Sequence, residues 1–272
     1  MQRDEITPSN SLKDKLDGQE VGLCMAIRLF TQPDMVLIAK GAGLDAIYID
    51  LEHGSISPDA VRQVAVTAIA ANIACLVRVP SLDDISRVLD AGASGVICPG
   101  IETAEEVHAA IAAAKFPPQG NRGVAATFPH FGYRPIPASQ SLPAMNASSM
   151  IIAQIESAKG LANLDAIASV KGLDMLFVGA NDLLADLGLA GDFDHPKLND
   201  AFLRVIAACK QHNLTCGIGG LTSRPQMIAK LVSLGANFIS IGNDISLLTN
   251  SIRSGVEKFS NLEKSSPIAS NQ

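Results

Sequence analysis

The sequence predicts a single (β/α)8 barrel. Three observations carry this: eight short apolar or β-branched runs, helical segments between them that close on glycine, and no Pro/Ser-rich linker between residues 21 and 260. A doubly wound open sheet is the alternative that the same alternation allows.

A polar segment, residues 1–20, precedes the barrel and lacks the apolar core of a secretory signal. The first strand is expected in VGLCMAIRL (21–29) and the second in AIYID (46–50). Pro58 stands early in SPDAVRQVAVTAIAAN, where a fixed φ suits a first helical turn. CLVRV (75–79) and GVICP (95–99) follow as strands three and four, and Thr103 then caps AEEVHAAIAAAK. Residues 116–149, FPPQGNRGVAATFPHFGYRPIPASQSLPAMNASS, are too long and Pro-rich for a plain connection and are expected to form a lid or an interface. MIIAQIE (150–156), MLFVG (175–179) and TCGIGG (215–220) supply strands five to seven. Ser223 and Pro225 open QMIAKLVSLG before the eighth strand, FISIG (238–242). The glycines of AGLD, AGAS, KGLD and LGAN end helices, where a left-handed cap favours them. Residues 261–272 are expected to be a flexible tail.

Composition narrows the function. Of 272 residues, 47% are apolar and 18% charged, enough to bury a large core. A net charge of -6 offers no basic face for nucleic acid, and no apolar run is long enough for a membrane helix. Cys24, Cys75, Cys98, Cys209 and Cys216 form no CxxC pair and sit in or beside apolar runs, which suits reduced, buried thiols in a cytoplasmic protein. A small molecule is the expected partner.

Barrel chemistry is built at the carboxyl ends of the strands. There the sequence places Arg28, then Asp50, Glu52 and His53 in IDLEHG, Arg78, Gln154 and Glu156 in AQIES, and Asn181 and Asp182 in GANDL. Glu156 and Asp182 are either ligands of a hard divalent ion, which needs only one or two protein carboxylates, or acids capping the helices that follow. Arg78, inside a buried strand, is either an anion clamp or half of an internal ion pair. His53 is the acid/base candidate, with Asp90 to fix its tautomer, unless it is an ordinary loop residue. No lysine falls in a strand, so an imine mechanism is disfavoured and only Lys159 is worth checking. His130 and Arg122, on the long segment, are further substrate contacts to test, and Arg122 could equally lie across a subunit contact. His108, His195 and His212 are expected at the surface.

Taken in order, IDLEHG, LVRVP, FPPQGNRG, AQIES and VGANDL resemble the HpcH/HpaI family of class II pyruvate aldolases, phosphoenolpyruvate/pyruvate-type TIM barrels to which macrophomate synthase is related. The resemblance implies a lyase that reversibly cleaves 4-hydroxy-2-oxo acids to pyruvate and an aldehyde through a metal-held enolate. Glu156 and Asp182 would hold Mg2+ or Mn2+, with Co2+ a further candidate, and Gln154 would lie beside it. Arg78 would bind the C2 oxygen, and His53 with Asp90 would move the proton. The segment Gly179, Ala180, Asn181 and Asp182 would receive the pyruvate carboxylate. It also implies a homohexamer, a trimer of dimers that exchange a C-terminal helix. An oxaloacetate decarboxylase of the macrophomate synthase kind is the alternative, since it uses the same enolate. A citrate-lyase-like action on a CoA thioester is disfavoured by the lack of a basic groove. A barrel that only binds a keto acid would have no use for His53 with Asp90.

Two positions depart from the family pattern. Asn181 stands where the more frequent GPADL has alanine, and Arg28 replaces an apolar neighbourhood. Arg28 is therefore assigned to substrate binding, toward a carboxylate on the acceptor.

Overall fold

The computed structural model describes residues 8–260. The elements begin with α1 (Ser11–Asp17), β1 (Gly22–Ile27), α2 (Asp34–Gly41), β2 (Ala46–Asp50), α3 (Pro58–Ala71), β3 (Ala74–Arg78), α4 (Ile85–Asp90) and β4 (Gly95–Cys98). They continue with α5 (Ala104–Ala114), α6 (Ala138–Ser148), β5 (Met150–Ile155), α7 (Ala158–Ala162), α8 (Leu164–Ala168), β6 (Met175–Gly179) and α9 (Ala180–Asp186). The last are α10 (Pro196–His212), β7 (Thr215–Gly219), α11 (Pro225–Ser233), β8 (Phe238–Asn243) and α12 (Asp244–Ser260). The strands pair in chain order, all parallel, and β1 pairs with β8 to close a barrel. The expected tail at 261–272 lies outside the described residues.

The local signals act as the sequence suggests. Ser57 caps α3 with Pro58 at its first position, and Thr103 and Glu106 form a reciprocal capping box on α5. Gly43, Gly92, Gly172 and Gly235 all have positive φ at the turns into β2, β4, β6 and β8, so the repeated glycines terminate the preceding segments as expected.

A two-residue period sorts each strand between two cores. Cys24, Ala26, Ala46, Tyr48, Ala74, Leu76, Ile97, Ile152, Met175, Phe177 and Phe238 point into the barrel. Their neighbours, among them Ile27, Ile49, Val77, Ile155 and Val178, face the helices. Tyr48, Phe177 and Phe238 meet edge to face, with centroids 6.4 and 6.0 Å apart. β7 makes room with inward glycines: a Cβ on Gly217 or Gly219 would fall 2.5 or 2.7 Å from the Phe177 ring.

Two segments carry structure that the sequence reading did not assign to them. Part of the polar N-terminal segment is helix α1, whose Leu12 and Leu16 are fully buried in the core inside the barrel. Two apolar residues four apart on an otherwise polar turn are enough to anchor it, and truncating either to alanine costs about 2–5 kcal/mol. Residues 116–149 contain α6 and fold around their own core of Phe116, Phe128, Phe131 and Met145. Arg122 is buried there, its guanidinium 4.5 Å from the Phe116 centroid and 5.8 Å from that of Phe128.

Candidate active site

The inward parity that fills the barrel with Cys24 and Ala26, Ala46 and Tyr48, Ala74 and Leu76 continues one step further, to Arg28, Asp50 and Arg78. On the far side of the ring, Ile152 leads by the same period to Gln154 and Glu156, and Phe177 leads to Gly179. The mouth is thus built from the next residues of each inward row.

Asp50 is its hub. Its carboxylate is fully buried. Arg78 donates Nε to Oδ1 at 2.9 Å and Nη2 to Oδ2 at 2.6 Å, and Arg28 adds Nε to Oδ2 at 2.7 Å. Burial by itself raises the Asp50 pKa, but the hydrogen bonds and charges of Arg78 and then Arg28 outweigh it and hold the carboxyl below its usual range. Burial likewise opposes the Arg78 cation, and Asp50 overcomes it and raises the pKa. The β2–β3 register brings the pair together, since Asp50 lies opposite Arg78. Asp50 is the residue sequence reasoning left without a role. Its shared parity with Tyr48, in a strand next to an inward arginine, was the available signal.

The turn after β2 also hangs on this carboxylate. The His53 N–H donates to Asp50 Oδ1 at 3.3 Å, and a Cβ on Gly54 would fall 2.5 Å from the Asp50 carbonyl oxygen. Only glycine lets the chain double back so closely. Glu52 Oε2 lies 3.0 Å from Arg78 Nη1 and 3.7 Å from His53 Nε2, so it joins the buried pair to the histidine, whose side chain is 46% exposed.

Asp90 is not beside His53. Its carboxylate accepts from Arg122 Nη2 at 2.5 Å, and no ion pair or hydrogen bond joins it to His53 among the described residues. Asp90 closes α4, where it meets the long segment, so the expected tautomer-fixing pair does not form among the described residues. His130 is corrected as well. Burial lowers its pKa to about 4, and its Nε2 faces the Ala93 carbonyl at 3.1 Å, ahead of β4 rather than at the mouth. Arg122 bonds Asp90 and the Ala114 carbonyl and stacks on Phe116 and Phe128, away from the mouth residues described above. Lys159 is 62% exposed and bonds Glu102 Oε2 at 2.8 Å, which raises its pKa; it is unsuited to imine formation.

The carboxylates expected to hold a metal are placed as follows. Glu156 Oε1 accepts the Gly100 N–H at 2.7 Å, and Oε2 accepts from Gln154 Nε2. Burial raises the Glu156 pKa, two hydrogen bonds oppose this, and the charges of Asp182 and Glu52 raise it further. Gln154 Oε1 is buried with no hydrogen-bond partner among the described residues. A Cβ on Gly179 would fall 2.7 Å from Glu156 Oε2 and 3.0 Å from Gln154 Nε2, so glycine there keeps the space open. Ser157 caps α7 and Asp182 makes no side-chain cap on α9, so neither acid is the capping residue the alternative required. No three His, Cys, Asp or Glu side chains gather as a ready cage among the described residues. An unsatisfied amide oxygen, a carboxylate crowded by like charge and a glycine-lined space nevertheless fit a hard divalent ion that keeps most of its other ligands as water or substrate.

All five cysteines are free and buried, and burial pushes Cys75 and Cys98 up to about 12. They play no part at the mouth.

Residues 28–251 match the HpcH/HpaI aldolase/citrate lyase family. The chain is 36% identical over 248 residues to the 4-hydroxy-4-methyl-2-oxoglutarate aldolase tasA of Hapsidospora irregularis, covering 89% of this chain and 92% of that protein. A solved HpcH/HpaI aldolase from Desulfitobacterium hafniense DCB-2 superposes with a TM-score of 0.89 at 29% identity, covering 95% of this chain and all of that one (100%). Macrophomate synthase superposes with a TM-score of 0.75 at 25% identity, covering 94% of this chain and 93% of that one.

Proposed function

The chain belongs to the HpcH/HpaI aldolase/citrate lyase family and is a carbon–carbon lyase, and from that premise we propose that it is a divalent-metal-dependent aldolase cleaving 4-hydroxy-2-oxo acids to pyruvate and an aldehyde. The observation that carries this is the pairing, across one mouth, of the Gln154–Glu156 cradle with the Asp50-anchored guanidinium of Arg78.

Glu156, Asp182 and the unsatisfied Gln154 oxygen would hold Mg2+ or Mn2+, which supplies Lewis-acid stabilisation where negative charge develops on the substrate. Arg78 is fixed by two hydrogen bonds before substrate arrives, so it meets the C2 oxygen without reorganising, at the point where that oxygen gains charge as the C3–C4 bond breaks. The first N–H groups of α9, after Gly179, have no side-chain cap and are available to the pyruvate carboxylate. His53 reaches solvent and takes the C4 hydroxyl proton, and Glu52 steadies the imidazolium that results. Oxaloacetate decarboxylation would leave electrons on the same carbon, so it is tested alongside.

Assembly is part of the reading. Of the residues in α12 only Asp244 is buried, while Ile245, Leu248, Ile252, Val256 and Phe259 form an exposed stripe at helical spacing. Such a stripe supports exchange of this helix between subunits of a homohexamer. No described helix is long and apolar enough to cross a membrane; a cytoplasmic site of action accords with five free thiols.

The deciding experiment is pyruvate release, coupled to NADH oxidation, from 4-hydroxy-2-oxovalerate, 4-hydroxy-2-oxoglutarate, 4-hydroxy-2-oxoheptanedioate and oxaloacetate, with Mg2+ or Mn2+ and with EDTA. Metal-dependent release from the hydroxy-oxo acids is expected. Release from oxaloacetate alone would replace the aldolase by the decarboxylase, and EDTA-resistant release would remove Glu156 and Asp182 from the metal role.

A further inference from the structure

Asp244 opens α12 and is the only buried residue of that helix, 3% exposed. Main-chain N–H groups at the exit of β1 meet its charge: Arg28 donates to both oxygens at 3.1 and 3.2 Å, Leu29 to Oδ2 at 2.9 Å and Phe30 to Oδ2 at 2.8 Å. Its own helix adds Ile245 to Oδ1 at 2.9 Å. A buried carboxylate that lost such donors would be left uncompensated, so three successive residues are held to it. The base it stands on is firm. The Asn243 N–H donates to Ser246 Oγ at 3.2 Å and the Ser246 N–H donates to Asn243 Oδ1 at 2.8 Å, a reciprocal pair that fixes the first turn of α12 to the end of β8.

The strand ladder alone does not place the exit of β1. Cys24 pairs with Ser240 but Ala26 with Asn243, so β8 carries one more residue than β1 across this seam, and β1 itself ends at Ile27. From Arg28 onward the Asp244 carboxylate takes over, and two contacts carry its hold into the mouth. The Arg28 side chain donates Nε to Asp50 Oδ2 at 2.7 Å. The Arg28 carbonyl oxygen lies 3.3 Å from where a Cβ on Gly54 would stand, so the turn that bears His53 rests against the same residue. Asp50 in turn fixes Arg78 with two bonds and accepts the His53 N–H. The run from α12 to the reacting groups is Asp244, the main chain of 28–30, Asp50 and Gly54, then Arg78 and His53.

We propose that Asp244 is a positioning residue through which the seating of α12 sets the alignment of Arg78 and His53; this rests on the roles given to those two residues above. Asp244 touches no reacting atom. The Gln154–Glu156 cradle and the α9 N–H groups belong to β5 and β6, on the other side of the ring, so they bind the pyruvate half whether or not Asp244 holds. Asp244 therefore acts on turnover rather than on pyruvate binding. It also makes turnover answer to the exposed apolar stripe of α12, proposed above as a subunit contact.

The test compares Asp244→Asn with the unaltered protein, both supplemented with Mn2+. Asparagine keeps the shape but turns one acceptor oxygen into a donor. The kcat per folded molecule should fall on the order of 10- to 100-fold, while the affinity for pyruvate, titrated calorimetrically, stays within about twofold. Asp244→Glu, which keeps the charge, should recover part of the rate. Backbone hydrogen exchange should quicken over 28–30 and 50–54 and stay unchanged over 150–156. Ile252→Glu with Val256→Glu should lower kcat as well, and adding Asp244→Asn to that pair should cost little more, because both act through one carboxylate. An unchanged kcat in Asp244→Asn, equal losses of kcat and pyruvate affinity, or losses that add across the helix variants would each overturn the proposal. Pyruvate release from oxaloacetate alone would replace the aldolase reading, and the same kcat comparison on that substrate would still decide the role of Asp244.

Discussion

Arg78 and Asp50 face each other across the β2–β3 register, with both oxygens of a fully buried carboxylate taken by one guanidinium at 2.9 and 2.6 Å. Asp50 also carries the turn bearing His53 and the side chain of Arg28, so one buried charge organises three mouth residues.

Removing that charge leaves Arg28 without its carboxylate partner and Arg78 with Glu52 alone. Asp50→Ala should cost about 3–5 kcal/mol of stability, read by denaturant unfolding. Arg78→Ala strands the carboxylate instead. Where folded protein is recovered, its kcat should fall on the order of 10²- to 10³-fold.

His53→Ala should separate chemistry from binding. A loss of about 10²- to 10⁴-fold in kcat is expected, with pyruvate affinity in the presence of Mn2+ preserved. Equal loss of binding would make His53 a structural residue of the turn.

The Asp90–Arg122 pair predicts a defect away from the reacting atoms. Arg122→Ala empties a space beside Phe116 and Phe128 and should expose residues 116–149 to limited proteolysis, with about 2–4 kcal/mol lost. Asp90→Asn should do less, because its side chain is 42% exposed, and the pH profile of kcat should stay in place. A shifted profile would return Asp90 to the role first expected of it.

Lys115 gives a pH signature. Burial lowers its pKa from 10.5 to about 8, while Nζ donates to the Asn146 and Ser149 carbonyls, each at 2.7 Å. Below pH 8 the lysine is charged in both states and the folded state bears the penalty of a buried cation. Between about pH 8 and 10.5 the unfolded state binds the extra proton, so stability should rise with pH. The difference between the unaltered protein and Lys115→Met, measured by urea unfolding at pH 7 and pH 10, should change by on the order of 1–3 kcal/mol in that direction.

The stripe on α12 predicts an assembly defect. Ile252→Glu with Val256→Glu should reduce the molar mass found by light scattering, because two buried acids in an apolar contact cost more than the contact returns. An unchanged mass would place the subunit contacts elsewhere.

Local chemistry was enough to read much of this molecule from its sequence. The eight runs, the Thr103 box, Pro58 and the four glycines act through a few neighbouring residues, and their signals survive without knowledge of the rest. Strand ends also drew attention to Arg28, His53, Arg78, Gln154, Glu156 and Asp182, because a barrel exposes chemistry there. What each touches was decided by register and packing between distant segments. Asp50 became the hub because β2 and β3 pair in one register, and Gly179 leaves its space because β5 and β6 are neighbours. Asp90 was lost to Arg122, 32 residues away, once the long segment folded on its own aromatic core. Parity along a strand is written in the sequence; the partner opposite each residue follows only from closing the barrel.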